Sequence, residues 1–195
     1  MTSRREFLEA AALSALPAVT GASLTAHPLG TGPGFQFVLF DQRYAQARSL
    51  ASRIGHAGAV HPLADGDITQ VWLKQIGPAW QRGPAITAGL TARPALFCLE
   101  QLALSCGLRV VFHAKHVVHP NGRTEHAVLR GGESLALTPA DLTQAERHWP
   151  ARIADALATY RPQIPRPRLG RSDAALDPAL PPQTLLLTSW IIAAA

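Results

Sequence analysis

The sequence predicts an α/β domain in which helices cover both faces of a mostly parallel sheet. Between residues 35 and 118, short apolar runs typical of strands alternate with longer amphipathic runs typical of helices. The connections are short and carry Gly, Asp or Thr where helices begin and end. Strands and helices that alternate in this way form right-handed crossovers between parallel strands. We therefore expect a three-layer domain over residues 35–160.

The first strand and helix are predicted from their hydrophobic pattern. Residues 35–40 are apolar nearly throughout, as in a central strand buried on both faces. Asp41 follows this run and is placed to cap a helix over residues 42–54, whose apolar residues recur at helical spacing. This strand should therefore lie inside the sheet.

The second repeat of the pattern combines an edge strand with a capped helix. Residues 57–63 favour a short strand, and Pro62 within it is typical of a sheet edge. Asp67 then opens a helix over residues 68–76, with Gln70 in the position that completes a capping box.

The third repeat contains the most apolar helix of the chain. Residues 85–90 predict a strand, Thr91 is placed to cap the helix that follows, and Gly107 ends it. Cys98 and Cys106 lie on this helix, about 12 Å apart along its axis. A disulfide needs Cα atoms within about 7 Å, so we expect two buried free thiols.

A β-hairpin is predicted over residues 108–130. Two β-rich arms flank Asn121–Gly122, a dipeptide typical of two-residue type I′ turns. In that register Val117 faces His126, and His119 and His126 are diagonal neighbours about 7 Å apart. The hairpin should add an antiparallel edge to the sheet.

The last part of the chain predicts a helix, a linker and an apolar end. Thr138 is placed to cap a helix over residues 139–160, with a break at Pro150. Residues 161–183 are rich in Pro and Arg and favour an extended linker. The linker leads to the apolar segment 184–195, which we expect to dock on the domain or on a partner. The complete pattern is typical of a flavodoxin-like or Rossmann-like sheet.

The composition excludes a disordered chain but specifies no partner. Apolar residues make up 47% of the 195 residues and charged residues only 16%. The formal net charge of +5 and the pI near 10 favour acidic partners in general. The Pro- and Arg-rich linker lacks the interleaved aromatic residues that single-stranded nucleic acid requires, so we expect no nucleic-acid partner.

The N-terminal residues 1–26 carry the features of an export signal. Arg4, Arg5, Phe7 and Leu8 match the pattern Ser/Thr-Arg-Arg-x-Phe-Leu-Lys, although Glu9 replaces the usual lysine. A short Ala-rich apolar run and small residues suited to cleavage follow. In these residues the chain resembles proteins with a twin-arginine (Tat) export signal. The resemblance implies export of a folded chain to the periplasm by the Tat machinery, with no permanent membrane span.

Candidate ligand-binding side chains lie at the predicted carboxyl ends of the strands, where α/β sheets bind their ligands. They are Asp41, Arg43, Asp65, Asp67 and Thr91. Asp41 together with Asp65 or Asp67 could hold Mg²⁺, because that ion prefers carboxylate oxygens. The alternative is that Asp41, Asp67 and Thr91 serve only as helix caps.

Two histidines of the hairpin are candidate metal ligands. His119 and His126 are close enough in the predicted register to share an ion, but a zinc site requires a third protein ligand that the sequence does not indicate. The alternative is a solvated, weakly basic face of the hairpin that titrates near neutral pH.

The sequence contains no recognised catalytic motif. It lacks Gly-x-Ser-x-Gly, His-Glu-x-x-His and Cys-x-x-Cys, and no motif indicates a cofactor. We therefore expect an exported accessory or ligand-binding protein, for example a non-catalytic subunit of a periplasmic redox enzyme. The alternatives are a flavin-type oxidoreductase exported with its cofactor and, more weakly, a metal-binding protein.

Overall fold

Six strands and six helices form a mixed α/β domain in the computed structural model, which describes residues 34–55, 59–83, 85–161 and 183–194. The strands are β1 (Phe35–Asp41), β2 (Ala59–Leu63), β3 (Ile86–Ala92), β4 (Leu108–Val118), β5 (Thr124–Arg130) and β6 (Leu185–Ala194). The helices are α1 (Ala45–Ile54), α2 (Thr69–Val71), α3 (Gly77–Arg82), α4 (Arg93–Ser105), α5 (Pro139–Gln144) and α6 (Trp149–Thr159). The predicted export signal and residues 162–182 of the predicted linker lie outside the described residues.

The strands form one sheet in the order β2-β1-β3-β6-β4-β5. β1 pairs in parallel with β2 and β3, whereas the pairs β3–β6, β6–β4 and β4–β5 are antiparallel. Because two successive antiparallel pairings restore the direction, β4 runs the same way as β1, β2 and β3. Three of the five pairs are antiparallel, so the pairing does not confirm the predicted mostly parallel sheet.

The apolar C-terminal segment forms a central strand of this sheet. β6 lies between β3 and β4, and all its residues from Leu187 to Ala193 are buried. A strand that is covered on both faces has to be apolar or internally hydrogen-bonded at every position. β6 is therefore an integral part of the domain, and it separates β3 from β4.

Both faces of the sheet carry a hydrophobic core. Neighbouring residues of β1 point to opposite faces, so Val38 packs with α1 and α6, whereas Leu39 packs with α4 and with the helical segment that follows β2. The same alternation divides β6, where Ile191 joins the first core and Ile192 the second. We call these the α1–α6 face and the α4 face.

The helical segment after β2 is longer than predicted. It runs from α2 through a π-helical turn over Trp72–Ile76 into α3, whereas the sequence predicts an end at residue 76. Pro78 does not stop it, because Pro78 stands just after the π-helical turn, in the first turn of α3.

The predicted helix over residues 139–160 is divided at Glu146 rather than at Pro150. Glu146 has a positive φ of 47°, which ends the run of α5, and Pro150 stands in the first turn of α6. The predicted start is confirmed, because the Thr138 hydroxyl accepts from Asp141 N at 3.2 Å in a capping box.

The β4–β5 hairpin is confirmed, but its register differs by one residue from the prediction. His119 N donates to Arg123 O at 2.9 Å, and Gly122 N donates to His119 O at 2.9 Å, which makes a three-residue loop. Pro120 suits the first central position of a type I turn, and Gly122 takes the left-handed position with φ of 84°. As a result His116, rather than Val117, faces His126.

Candidate functional site

The predicted ligand side chains at the end of β1 are engaged with each other. The Asp41 carboxylate is fully buried; its Oδ1 accepts from Arg43 Nε at 2.9 Å and its Oδ2 from Arg43 Nη2 at 2.7 Å. The paired carboxylate raises the pKa of the Arg43 guanidinium. A Cβ at Gly66 would lie 2.6 Å from Arg43 Nη2, so the turn over Ala64–Gly66 closes tightly over the pair. This arrangement is a closed ion pair.

Asp41 is also not the helix cap that the sequence predicts. α1 begins three residues later than expected, with Tyr44 at its N-cap and no side-chain cap. The Asp41 carboxylate instead accepts from Arg43 N at 3.2 Å, which holds the turn between β1 and α1.

The other predicted strand-end residues are dispersed. Asp65 is exposed in the turn beside Arg43. Asp67 accepts from Thr69 N at 2.8 Å, but the N-cap of α2 is Ile68, so the predicted capping box with Gln70 does not form. Thr91 lies within β3 and accepts from Trp190 Nε1 at 3.1 Å, while α4 begins at an Ala92 cap.

The two predicted metal ligands lie on opposite faces of the hairpin. His119 contacts Glu125, with Nε2 and Oε1 3.2 Å apart. His126 is directly opposite His116 on β4. Side chains alternate along a strand, so the one-residue change of register separates His119 from His126.

A buried chain of hydrogen bonds connects the centre of the sheet with the hairpin. On the α1–α6 face, Ser189 Oγ of β6 lies 2.8 Å from His116 Nε2, and His116 Nδ1 lies 2.8 Å from His126 Nδ1. Trp149, at the start of α6, stacks on the His116 ring with centroids 4.3 Å apart. Ser189 and His116 are fully buried, whereas His126 reaches the surface.

The donors and acceptors in the hydrogen bonds between Ser189, His116 and His126 can be assigned. If the Ser189 hydroxyl donates to His116 Nε2, then His116 Nδ1–H donates to His126 Nδ1, and the single proton of neutral His126 stands on Nε2. Each group is then satisfied with neutral rings. In the opposite direction the Ser189 hydrogen would need a further acceptor, so we assign the first arrangement.

Burial keeps both rings neutral. Desolvation, followed by the nearby His126 and His113, holds the pKa of His116 well below its usual value. Desolvation alone lowers the pKa of His126 to about 4. The two rings therefore form a neutral, aromatic-covered pair at neutral pH.

A cavity of about 190 Å³ opens beside the outer end of this chain. Its wall is formed by the hairpin turn on one side and by the connection between α5 and α6 on the other. The lining residues are Gly122, Arg123, Thr124, His126, Thr143, Glu146 and Arg147. Most of these side chains carry polar atoms. One of them is the half-buried imidazole of His126, which is hydrogen-bonded through Nδ1 to His116.

A larger depression of about 510 Å³ lies along the turn after β5. It is lined mainly by small residues and backbone between Val128 and Pro139. Its arginine, Arg130, already donates from Nη1 to Val110 O at 3.0 Å. Because the smaller cavity adjoins the histidine chain, it is the better candidate site.

Metal and thiol chemistry receive little support from the described residues. Among them, no group of three His, Cys, Asp or Glu side chains is placed to hold a metal ion. Cys98 and Cys106 are free, as their spacing predicts, but neither is buried as expected: Cys98 is exposed and Cys106 is only partly buried.

Sequence reasoning missed the side chains that complete this site. Ser189 lies 73 positions from His116, and no local pattern links them. The pairing of His116 with His126 is predictable from the sequence, because Pro120 before Asn121–Gly122 favours a three-residue loop.

No known protein family, curated protein or solved structure matches this chain. Within the part of the chain that the structure describes, none of the helices has the length and apolarity needed to cross a membrane. The described residues form a mixed α/β domain with a polar cavity at the outer end of the Ser189–His116–His126 hydrogen bonds.

Proposed function

We propose that this chain is an exported α/β protein that binds a small polar ligand in the cavity beside His126. The observation that carries the proposal is the chain from Ser189 through His116 to His126. The buried His116 ring, the half-buried His126 ring and the buried Ser189 hydroxyl are costly to desolvate, and their mutual hydrogen bonds fix His126 at the cavity wall. The His126 ring is therefore held in a fixed orientation in which it can form a hydrogen bond with a ligand.

Export to the periplasm is the second part of the proposal. Arg4, Arg5, Phe7 and Leu8 support it through their resemblance to a Tat signal.

The flavodoxin-like or Rossmann-like relationship also remains a proposal. It is supported by the parallel order β2-β1-β3, in which the crossover through α1 covers one face and the crossover through α2 and α3 the other. A flavin-type oxidoreductase is the less favoured reading. The first turn presents the buried Asp41 carboxylate, which opposes a cofactor phosphate, and Arg43 is already paired with it.

An accessory role in a larger complex is a second candidate, favoured by one observation. Phe97 and Leu104 lie seven residues apart on α4 and are 56% and 47% exposed. Residues at this spacing share a helix face, and apolar side chains in such positions can form part of a subunit interface.

The test is native mass spectrometry of the full chain, tagged at its C-terminus and purified from the envelope fraction of its host. We expect a mass that lacks the signal and carries a small-molecule increment. Arg147→Ala should lose the increment, because it removes a cavity wall, whereas Arg82→Ala, an exposed arginine outside the cavity wall, should keep it. A combined Arg4→Lys, Arg5→Lys variant should stay in the cytoplasm.

Export and ligand binding are tested separately, and each can be contradicted without the other. If the wild-type chain is found in the cytoplasm with its N-terminus intact, export is wrong. If the envelope protein carries no small molecule, or if Arg147→Ala carries the same increment as the wild type, the cavity is not the ligand site. A second polypeptide in the spectrum in place of a small molecule supports the accessory role instead.

A further inference from the structure

We propose that the cavity beside His126 binds a free amino acid with a small side chain, in its zwitterionic form. The carboxylate of the ligand accepts from His126 and Arg147, and its ammonium group donates to Glu146. This inference rests on the proposed function and adds the chemical class of the ligand.

Two polar side chains of the cavity wall are already engaged within the protein. Arg123 Nη2 lies 3.2 Å from Glu125 Oε1, so this arginine is ion-paired with a residue outside the wall. The Thr143 hydroxyl donates to Pro139 O at 3.0 Å, which leaves the Thr143 oxygen only as an acceptor. Neither side chain therefore gives the wall an uncompensated positive charge or a hydroxyl donor.

The two other charged side chains of the wall have opposite signs and are neighbours in the sequence. Arg147 donates from Nε to His148 Nε2 at 3.3 Å, so its two terminal nitrogens stay available for a ligand. Within the part of the chain that the structure describes, no side chain pairs with the Glu146 carboxylate. A simple anion or a simple cation can use only one of these two groups, whereas a zwitterion can use both.

His126 supplies a fixed donor for the carboxylate of the ligand. Its Nδ1 is held by His116 at 2.8 Å, so Nε2 is the ring nitrogen left for a ligand, and in the assigned arrangement Nε2 carries the proton. Thr124 precedes His126 by two positions on β5, so both side chains lie on the same face of the hairpin and line the cavity together. Because the ring already carries the hydrogen that it donates, binding requires no change in the protonation of His126.

The volume of the cavity limits the side chain of the amino acid. A volume of about 190 Å³ corresponds to about six water molecules. This space accommodates the ammonium and carboxylate groups with a side chain of few atoms. Glycine and alanine are therefore the appropriate probes.

The experiment is a titration of the full chain with glycine and with alanine, followed by ¹H–¹⁵N NMR at about pH 7, where both end groups of an amino acid are charged. Sodium acetate, which lacks the ammonium group, and ethylammonium chloride, which lacks the carboxylate, are titrated in parallel. We expect glycine or alanine to shift the signals of His126 and Arg147. Its affinity should exceed that of either fragment by about tenfold or more, because each fragment loses the hydrogen bonds of one charged end.

Glu146→Gln tests the contact with the ammonium group. This variant should bind the amino acid about tenfold more weakly, whereas its affinity for acetate should not fall. Glu100→Gln is the matched control, because it removes the same charge from α4, on the other face of the sheet. It should bind the amino acid as the wild type does.

The inference is overturned if neither amino acid shifts these signals, or if acetate or ethylammonium binds as tightly as the amino acid. It is also overturned if Glu146→Gln binds the amino acid with unchanged affinity. The proposed function would survive each of these results if the native protein still carries a small molecule that Arg147→Ala loses.

Discussion

The most informative single residue is His116, an imidazole without solvent exposure in the middle of an apolar core. Its two ring nitrogens are both hydrogen-bonded, and the indole of Trp149 covers one ring face. A charged imidazole in this position would be desolvated beside a second imidazole, which explains the direction of its pKa shift. Burial therefore favours the neutral form of His116.

This neutrality predicts that the domain loses stability in mild acid. An unfolded histidine titrates near 6.5, whereas the pKa of folded His126 is about 4. The unfolded chain therefore binds more protons in this window, so the stabilisation is complete above about pH 6.5 and is lost as the pH falls towards about 4. For His126, which is partly solvated, we expect a loss of about 1–3 kcal/mol.

Urea denaturation at about pH 7.5 and about pH 5 measures this loss together with those of His61 and His116, whose pKa values burial also lowers, so the share of His126 is the difference from His126→Gln. Asp67 and Asp141 do not mask it, because hydrogen bonds from Thr69 and Thr138 hold their carboxyl pKa values below 3.8 and move their effect to lower pH. His126→Gln should show a smaller loss than the wild type. Equal free energies of unfolding at the two pH values would contradict the neutral pair.

At the scale of secondary-structure elements, the pairing of β3 with β6 depends on a glycine. Gly89 lies directly opposite Trp190, and a Cβ at Gly89 would lie 2.6 Å from Trp190 Cζ2 and 2.6 Å from Leu39 O. The Trp190 indole instead lies against the bare backbone and donates to Thr91. On the same face of β3, Thr87 accepts from Trp80 Nε1 at 3.1 Å. This face of β3 therefore accommodates the indole rings of both Trp80 and Trp190.

Gly89→Ala should destabilise the domain by about 1–3 kcal/mol, because both close neighbours of the new methyl group are held within the core. Gly55→Ala is the control. A Cβ at Gly55 would make only an ordinary contact, 3.5 Å from Ala51 O, and should change stability by less than about 0.5 kcal/mol. Chemical denaturation of the two variants measures the difference, and similar stabilities would show that the β3–β6 packing is not tight.

The helices and strands also show which features of the fold can be predicted from local sequence patterns. Strands and most helices follow from local hydrophobic periodicity, and the cap at Thr138 and the end of α4 before Gly107 follow from local chemistry. The predicted hairpin register is wrong because Asn121–Gly122 favours a two-residue turn, whereas Pro120 occupies the first central position of a three-residue loop. One residue of register decided which histidines meet.

At the scale of the whole molecule, the order of the strands determines where the site lies. β6 enters between β3 and β4 and brings Ser189 beside His116, while α6 closes over both. Periodicity along the chain contains no information about which strands become neighbours, so this long-range contact was not predictable from the sequence. The strand-end residues were predictable as turn residues, but the internal pairing of Asp41 with Arg43 was not.

The arrangement also places the candidate site away from the parallel part of the sheet. The cavity lies at the β4–β5 hairpin, on the antiparallel side, and its polar support comes from the centre of the sheet through Ser189.

The most direct test is a long-range ¹H–¹⁵N spectrum of the imidazole side chains in the full chain, recorded at about pH 7 and again at about pH 5. We predict that His116 and His126 are neutral at both pH values and that Nδ1 of His116 and Nε2 of His126 carry the protons. Protonation of either ring near pH 6.5, or rings that are not coupled to each other, would contradict the account.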